Sequence, residues 1–409
     1  MRQTDRNRIP LLALLAANAI SLLGDDLTIV VIPWFVLQTT GSATKTGITL
    51  ATGTLPILLA GIFGGALADR FGYTRTSIAA DLTSGLSIAL IPLLYHTIGL
   101  AFWQLLILVF LGTLFDTPGG AARRSLIPDL ADLGRIPLER ANSAAQAVQR
   151  FALLLGPPVA GVLLAVLGAS SVLWLDAASF AASALIVAVV VHRPATSSAT
   201  PSQRLSYLAE VAQGFRFIQQ DRTLLWLITM FALGSLVSEP LYVIVLPVVA
   251  KLVYQSAVDL GLMNSALAAG SLVGLTLYGF VGPRLSRGAW LIGGFLVRAL
   301  SFWVLVLLPP LGLVLAAIAI NAIFFEPINP IAASMIQTRV PAGIRGRVFG
   351  TMSAIGAGTL PAGIFIGGLL IGAFGLVPTL TIIAAASTAQ AVGLLFIPAL
   401  RSLDEPRSA

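Results

Sequence analysis

Apolar runs of about twenty residues recur along the whole chain, separated by short polar breaks. Crossing a bilayer as a helix takes about 20 apolar residues. Twelve stretches meet that length: 10–37, 46–67, 77–95, 98–122, 142–167, 170–191, 223–249, 257–280, 289–309, 311–335, 348–373 and 377–399. The first reads as a span and not as a signal peptide, because it is too long and holds Asp25 and Asp26. Breaks after spans 3, 5, 9 and 11 are minimal, whereas those after spans 2, 4, 6, 8 and 10 are longer and basic.

The break at 192–222 is the longest. It opens with a Ser/Thr/Pro/Ala-rich run. Then Tyr207, Leu208, Val211, Phe215 and Ile218 follow at helical spacing, which predicts a helix lying on the inner membrane surface. The expected organisation is a six-helix bundle over 1–191, a cytoplasmic linker over 192–222, and a second six-helix bundle over 223–409.

Composition narrows the class. The chain is 57% hydrophobic and only 10% charged, against about 25% charged in ordinary soluble domains. A soluble fold of 409 residues cannot bury that much apolar surface. A soluble enzyme, a nucleic-acid-binding module and a disordered chain are all excluded. The expected class is an all-α membrane protein. Cysteine is absent, which removes disulfides and thiolate metal sites.

Charge position sets the expected topology. With the N-terminus inside, 20 of the 24 basic residues fall on inner segments and only Lys45 and Lys251 fall outside. That asymmetry follows the positive-inside rule and places both termini in the cytoplasm of a multi-pass cell-membrane protein. The formal charge of +7 then reports topology and contact with anionic lipid, and needs no nucleic-acid partner.

The two halves repeat. Adding 214 maps Ser21 on Ser235, Asp25 on Glu239, Pro33 on Pro247, Gly47 on Gly261, Gly65 on Gly279 and Arg70 on Arg284. At an offset of 210, Phe115-Asp116 falls on Phe325-Glu326. Two six-span halves of like topology are the signature of the major facilitator architecture. Acid on acid inside apolar spans is the rarer and more telling match.

Motifs support the same architecture. After span 2 the chain reads Gly65-Ala-Leu-Ala-Asp69-Arg70-Phe-Gly72-Tyr73-Thr74-Arg75. This resembles the major facilitator motif G-x-L-a-D-R-x-G-r-k, a cytoplasmic gate motif. Tyr73 and Thr74 replace its basic pair, and Arg75 is displaced by one residue. Span 5 carries Gly156-Pro157-Pro158-Val159-Ala160-Gly161. It resembles the antiporter motif g-x-x-x-G-P-x-x-G-G, with Ala152 and Ala160 at two glycine positions. Small residues there allow close helix contact, and proline removes a backbone donor. An ordinary proline kink is the alternative.

Further stretches are Asn18-x-x-Ser21-x-x-Gly24-Asp25, then Phe115-Asp116-Thr-Pro118 through Arg123-Arg124, Glu139-Arg140-Ala141-Asn142-Ser143, Asp176-Ala-Ala-Ser-Phe, and Arg345-Gly-Arg347-Val. Together they resemble the drug:proton antiporter-like exporter branch of the superfamily, which includes macrolide-efflux and enterobactin-exporter proteins. The resemblance implies that spans 1, 4, 7 and 10 line a central cavity.

A carboxylate at the bilayer centre costs on the order of 3 kcal/mol or more, so such groups are paired, protonated or functional. Asp25 and Asp26 sit near the middle of span 1, Glu239 lies as deep in span 7, and Asp116 and Glu326 lie on the inner-side parts of spans 4 and 10. On a helix Asp26 points about 100° away from Asp25. The expectation is that Asp25 carries the coupling proton or meets a cationic substrate, with Glu239 as its partner. Asp116 and Glu326 would gate closer to the cytoplasm. Alternatively, Asp116 forms a structural salt bridge with Arg123, Arg124 or Arg150. Arg150 is either a counter-ion or snorkels inward. Arg298 is expected to snorkel, and Asp176 to be satisfied near a helix start. Asn18, Trp34, Phe35 and Tyr242 are weak candidates for substrate contact.

The expected function is a proton-coupled antiporter that exports an amphipathic, lipophilic or cationic small molecule by alternating access, as a monomer. Its energy source is the proton gradient, with no cofactor and no metal. A symporter or lipid flippase of the same fold is the alternative, and a membrane-embedded enzyme is a remote one. For the last, His96 and His192 lie on opposite sides and no G-x-x-x-x-G-K loop is present.

Overall fold

The computed structural model describes residues 8–191, 207–282, 286–341 and 344–397, which are almost wholly helical. Within these, the side chains at 58–70, 139, 207–211, 337, 338, 345, 346, 349 and 353 lie outside the described residues. Two compact units emerge. One holds Met1–Gln38 and Thr52–Ser202, the other Thr39–Ala51 and Gln203–Ala409.

The first unit is built from α1 (Ile9–Thr40), α2 (Ala43–Phe71), α3 (Tyr73–Thr97), α4 (Phe102–Gly134), α5 (Leu138–Leu167) and α6 (Ala169–Val190). The start of α2, up to Ala51, groups with the second unit. Gly72 separates α2 from α3 at φ 84°, a conformation that a β-carbon disfavours. That explains the glycine of the gate motif. Tyr73, which replaces a basic motif residue, packs on a buried cluster that includes Leu11, Leu14, Leu126 and Val187. α3 packs against both α4 and α6.

The second unit contains α7 (Tyr207–Gln220), α8 (Arg222–Pro240), α9 (Leu246–Val249), α10 (Ala257–Val281), α11 (Arg287–Val306), α12 (Leu311–Phe325), α13 (Ile328–Arg339), α14 (Arg345–Phe374) and α15 (Leu376–Leu395). Arg222–Tyr254 forms one long apolar segment. Within it, π-helical turns at Leu241–Val245 and Ala250–Tyr254 follow Pro240 and Pro247. A proline removes the i→i−4 donor, and a wider turn is one way the register can accommodate the loss. The core includes Leu227, Phe295, Ile331, Met335 and Leu394.

Among the described residues, eleven helical segments are long and apolar enough to cross a membrane. α2, a further helix of 29 residues, lies over the second predicted span. One sequence expectation needs correction. The fourth span was expected to end at 122, leaving Arg123 in a basic loop. Instead α4 runs unbroken to Gly134, through Pro118 and Pro128. Each proline costs the helix a single backbone bond, and a packed membrane helix tolerates that. Residues 192–206 lie outside the described residues, whereas α7 packs on α14, with Gly214 seated 2.8 Å from the Arg347 carbonyl carbon if given a methyl.

Candidate functional site: one cleft in each unit

Three consecutive residues of α1 face three ways. Gly24 meets α6, where a methyl would overlap Asp176 and Ser179. Asp26 meets α5, where its Cγ stands 2.9 Å from a methyl placed on Gly156. Asp25, between them, lines a cleft of about 490 Å³ within the first unit. The helical step of about 100° per residue produces this division. Asp25 makes no hydrogen bond or ion pair with the described residues. It shares the cleft with Asn18, Asp116, Arg123, Arg124 and Gln146.

Arg123 organises this cleft. It is 3% exposed, with Nη1 at 2.5 Å from Asp81 Oδ1 and Nη2 at 3.7 Å from Asp116 Oδ1. Its Nε donates to Asn18 Oδ1 at 3.2 Å and its Nη2 to Ser21 Oγ at 3.4 Å. Asp81 is fully buried, and its Oδ2 accepts from Ser183 Oγ at 2.7 Å. Arg123 thus ties α4 to α1 and α3, and Asp81 ties α3 to α6. Asp116 Oδ1 has the guanidinium nearby but no hydrogen-bond partner. Of the three arginines proposed as its counter-ion, Arg123 is the one that reaches it. Arg150 stands exposed on α5 and does not line the cleft.

In the second unit a cleft of about 240 Å³ is lined by Glu239, Tyr242, Arg298, Asn321 and Glu326, among others. Glu239 lies near the end of α8. Tyr242 follows on the first π-helical turn and accepts a hydrogen bond from Asn321 Nδ2. Glu326 caps the C-terminus of α12, next to Pro327, where the tenth span breaks before α13 begins. Its Oε2 accepts from Asn329 Nδ2 at 3.4 Å.

Each unit therefore gathers its own repeat-related pair of acids. Arg298 does not snorkel. It is 1% exposed, its Cζ lies 4.5 Å from the ring centroids of both Phe295 and Phe325, and its Nη2 donates to Gln390 Oε1. Asp176 is satisfied, but well inside α6 and not at its start, accepting from Thr28 Oγ1 and Ser179 Oγ. Trp34 and Phe35 are buried and line neither cleft. Asn18 and Tyr242 do.

Of the gate motif, Gly65, Asp69 and Arg70 lie on α2, with side chains outside the described residues. Gly72 and the exposed Arg75 follow it. In the span 5 motif, Gly156, Pro157 and Gly161 are all buried on α5. Sequence reasoning missed Asp81 and the burial of Arg298. Gln390, the one amide side chain of α15, was the available signal for the second.

Comparison with known proteins gives a consistent result. Residues 8–408 match the family of major facilitator proteins described as transmembrane secretion effectors. The chain is 32% identical over 407 residues to the multidrug efflux pump Tap of Mycolicibacterium fortuitum, covering 98% of each. It is 22% identical over 361 residues to macrolide efflux protein A of Streptococcus pyogenes, covering 87% of each.

Solved structures share the fold. The nucleoside transporter NupG superposes with a TM-score of 0.75 at 12% identity, covering 95% of this chain and 98% of that one. A bacterial homologue of the human lysosomal transporter Spinster gives 0.74 at 16% identity, covering 100% and 99%. These are transporters and not enzymes. The helical architecture, the acid-lined clefts and the full-length family match agree, and the chain belongs to the transmembrane secretion effector family of the major facilitator superfamily.

Proposed function

We propose that the chain is a proton-driven exporter of amphipathic or lipophilic cationic molecules, working by alternating access. Its similarity to efflux pumps for drugs and macrolides supports the cargo class. The inner-side excess of arginine, which survives moving Arg123 into a buried site, supports cytoplasmic termini.

One observation carries the mechanism. In the first cleft, Asp25 makes no hydrogen bond or ion pair with the described residues, and Asp116 Oδ1 has no hydrogen bond. Arg123 meanwhile is held more closely by Asp81, at 2.5 Å, than by Asp116, at 3.7 Å. Asp25 and Asp116 can thus take up protons without dismantling the buried pair. A cationic cargo arriving at the same carboxylates competes with those protons, and mutual exclusion at one site is what exchange requires. Each proton moved through 100 mV supplies about 2.3 kcal/mol.

The test is transport of cationic dyes and drugs by the reconstituted protein in vesicles with an imposed pH gradient. Gradient-driven export should be lost in Asp25→Asn and strongly reduced in Glu239→Gln. If no cargo responds to the gradient and both variants move cargo like the parent, the proposal fails. Uptake driven by inward proton flow would replace it with symport.

A further inference from the structure

The cleft of the second unit contains a guanidinium that its surroundings do not satisfy. Of the Arg298 nitrogens, Nη2 donates to Gln390, whereas Nε and Nη1 have no hydrogen-bond partner among the described residues. The group is 1% exposed. Unmatched donors on a buried charge are costly. The Phe295 and Phe325 rings lie 4.5 Å from its Cζ but offer these N–H groups no carbonyl or carboxylate acceptor, and Gly234 keeps a side chain away from Nη1, where a methyl would stand 3.3 Å from that nitrogen. In the same cleft, Asn321 Oδ1 also lacks a partner, and Glu239 makes no hydrogen bond or ion pair with the described residues. The cleft thus offers unmatched donors, an unmatched acceptor, a carboxylate and the ring of Phe325 within about 240 Å³.

We propose that this cleft binds the polar head of an amphipathic amine that also carries a carbonyl oxygen. Arg298 donates to the carbonyl, Glu239 holds the ammonium, and the cleft-lining Phe231 and Leu267 carry the adjoining apolar body. A simple anion fits poorly, because Glu239 and Glu326 both line the cleft. A purely hydrocarbon amine leaves the guanidinium unmatched. The assignment rests on reading the chain as an exporter of such molecules, and it names the chemistry that the second unit selects.

The test is equilibrium binding to the full chain in lipid nanodiscs, with no gradient present. The ligand pair is 2-(dimethylamino)ethyl benzoate and its hydrocarbon analogue N,N-dimethyl-4-phenylbutan-1-amine. A hydrogen bond from a charged donor predicts about tenfold tighter binding of the ester. Arg298→Met should abolish that preference, so that the two compounds bind alike, and Arg298→Lys should keep part of it. Gly234→Ala leaves the arginine in place, crowds Nη1, and should lower the preference, so the test survives if Arg298→Met fails to fold. Equal binding of the two compounds by the parent, binding of neither, or equal weakening of both by Arg298→Met overturns the assignment. Export itself is decided separately, by gradient-driven transport in vesicles.

Discussion

Asp26 of α1 is seated on Gly156 of α5, so closely that a methyl at 156 would overlap the aspartate's Cβ and stand 2.8 Å from its Oδ2. The glycine before the two prolines of this motif therefore has a definite steric role: it is the floor under an acidic residue of α1.

Gly156→Ala should be over-packed and lose about 1–3 kcal/mol of stability. Thermal unfolding in detergent measures this. Asp26→Gly removes the opposing Cβ, so the double variant should be less destabilised than the sum of the two single ones. Strict additivity would show that the two residues do not bear on each other.

The pair Asp81 and Arg123 is buried at 0% and 3% exposure, which makes removal of one partner expensive. Asp81→Leu should cost about 3–5 kcal/mol by stranding the guanidinium. Adding Arg123→Met should restore most of that stability while transport stays lost, because Arg123 also faces Asp116. Unfolding midpoints and vesicle flux, read on the same preparations, separate the two effects. A double variant that recovers transport would remove Arg123 from the mechanism.

Asp221 caps α8, accepting from the backbone N–H of Thr223 at 3.0 Å and of Leu224 at 3.2 Å. Its Oδ2 also lies 4.0 Å from Arg339 Nη1. The cap should dominate. Asp221→Ala is expected to cost about 1 kcal/mol, Asp221→Asn much less, and Arg339→Ala a fraction of that. If Arg339→Ala matches Asp221→Ala in unfolding temperature, the ion pair and not the cap fixes this junction.

Tyr242 and Asn321 join the first π-helical turn to α12. In Tyr242→Phe the amide loses its partner, with Asn321 Oδ1 already unmatched. The expected loss is about 1–3 kcal/mol, and Tyr242→Phe with Asn321→Leu should be close to neutral. Equal destabilisation in the single and double variants would show that the unmatched Asn321 amide is not the source of the loss.

Length and hydropathy place the helices because a bilayer demands both, and the repeat marks Asp25, Asp116, Glu239 and Glu326 because acids are rare in such segments. All four line clefts in their own units. What escaped was pairing across helices. Arg123 follows Pro118 and two glycines, so it read as the start of a loop, and its partner Asp81 then had no reason to stand out. Nothing local in α3 says that its ninth residue faces α4. The burial of Arg298 is not legible locally either, since it depends on Gly234 and Gln390, two positions far away in sequence.

The keying of α1 on both flanks has a consequence for motion. Gly24 against α6 and Asp26 against α5 leave no room for the helix to roll about its own axis, and Asp25 is fixed between them. A charge that cannot turn in place meets new surroundings only when its whole bundle is carried there. In the transport cycle proposed above, the carboxylate would then work as a passenger of the unit, and the switch would be the body that bears it.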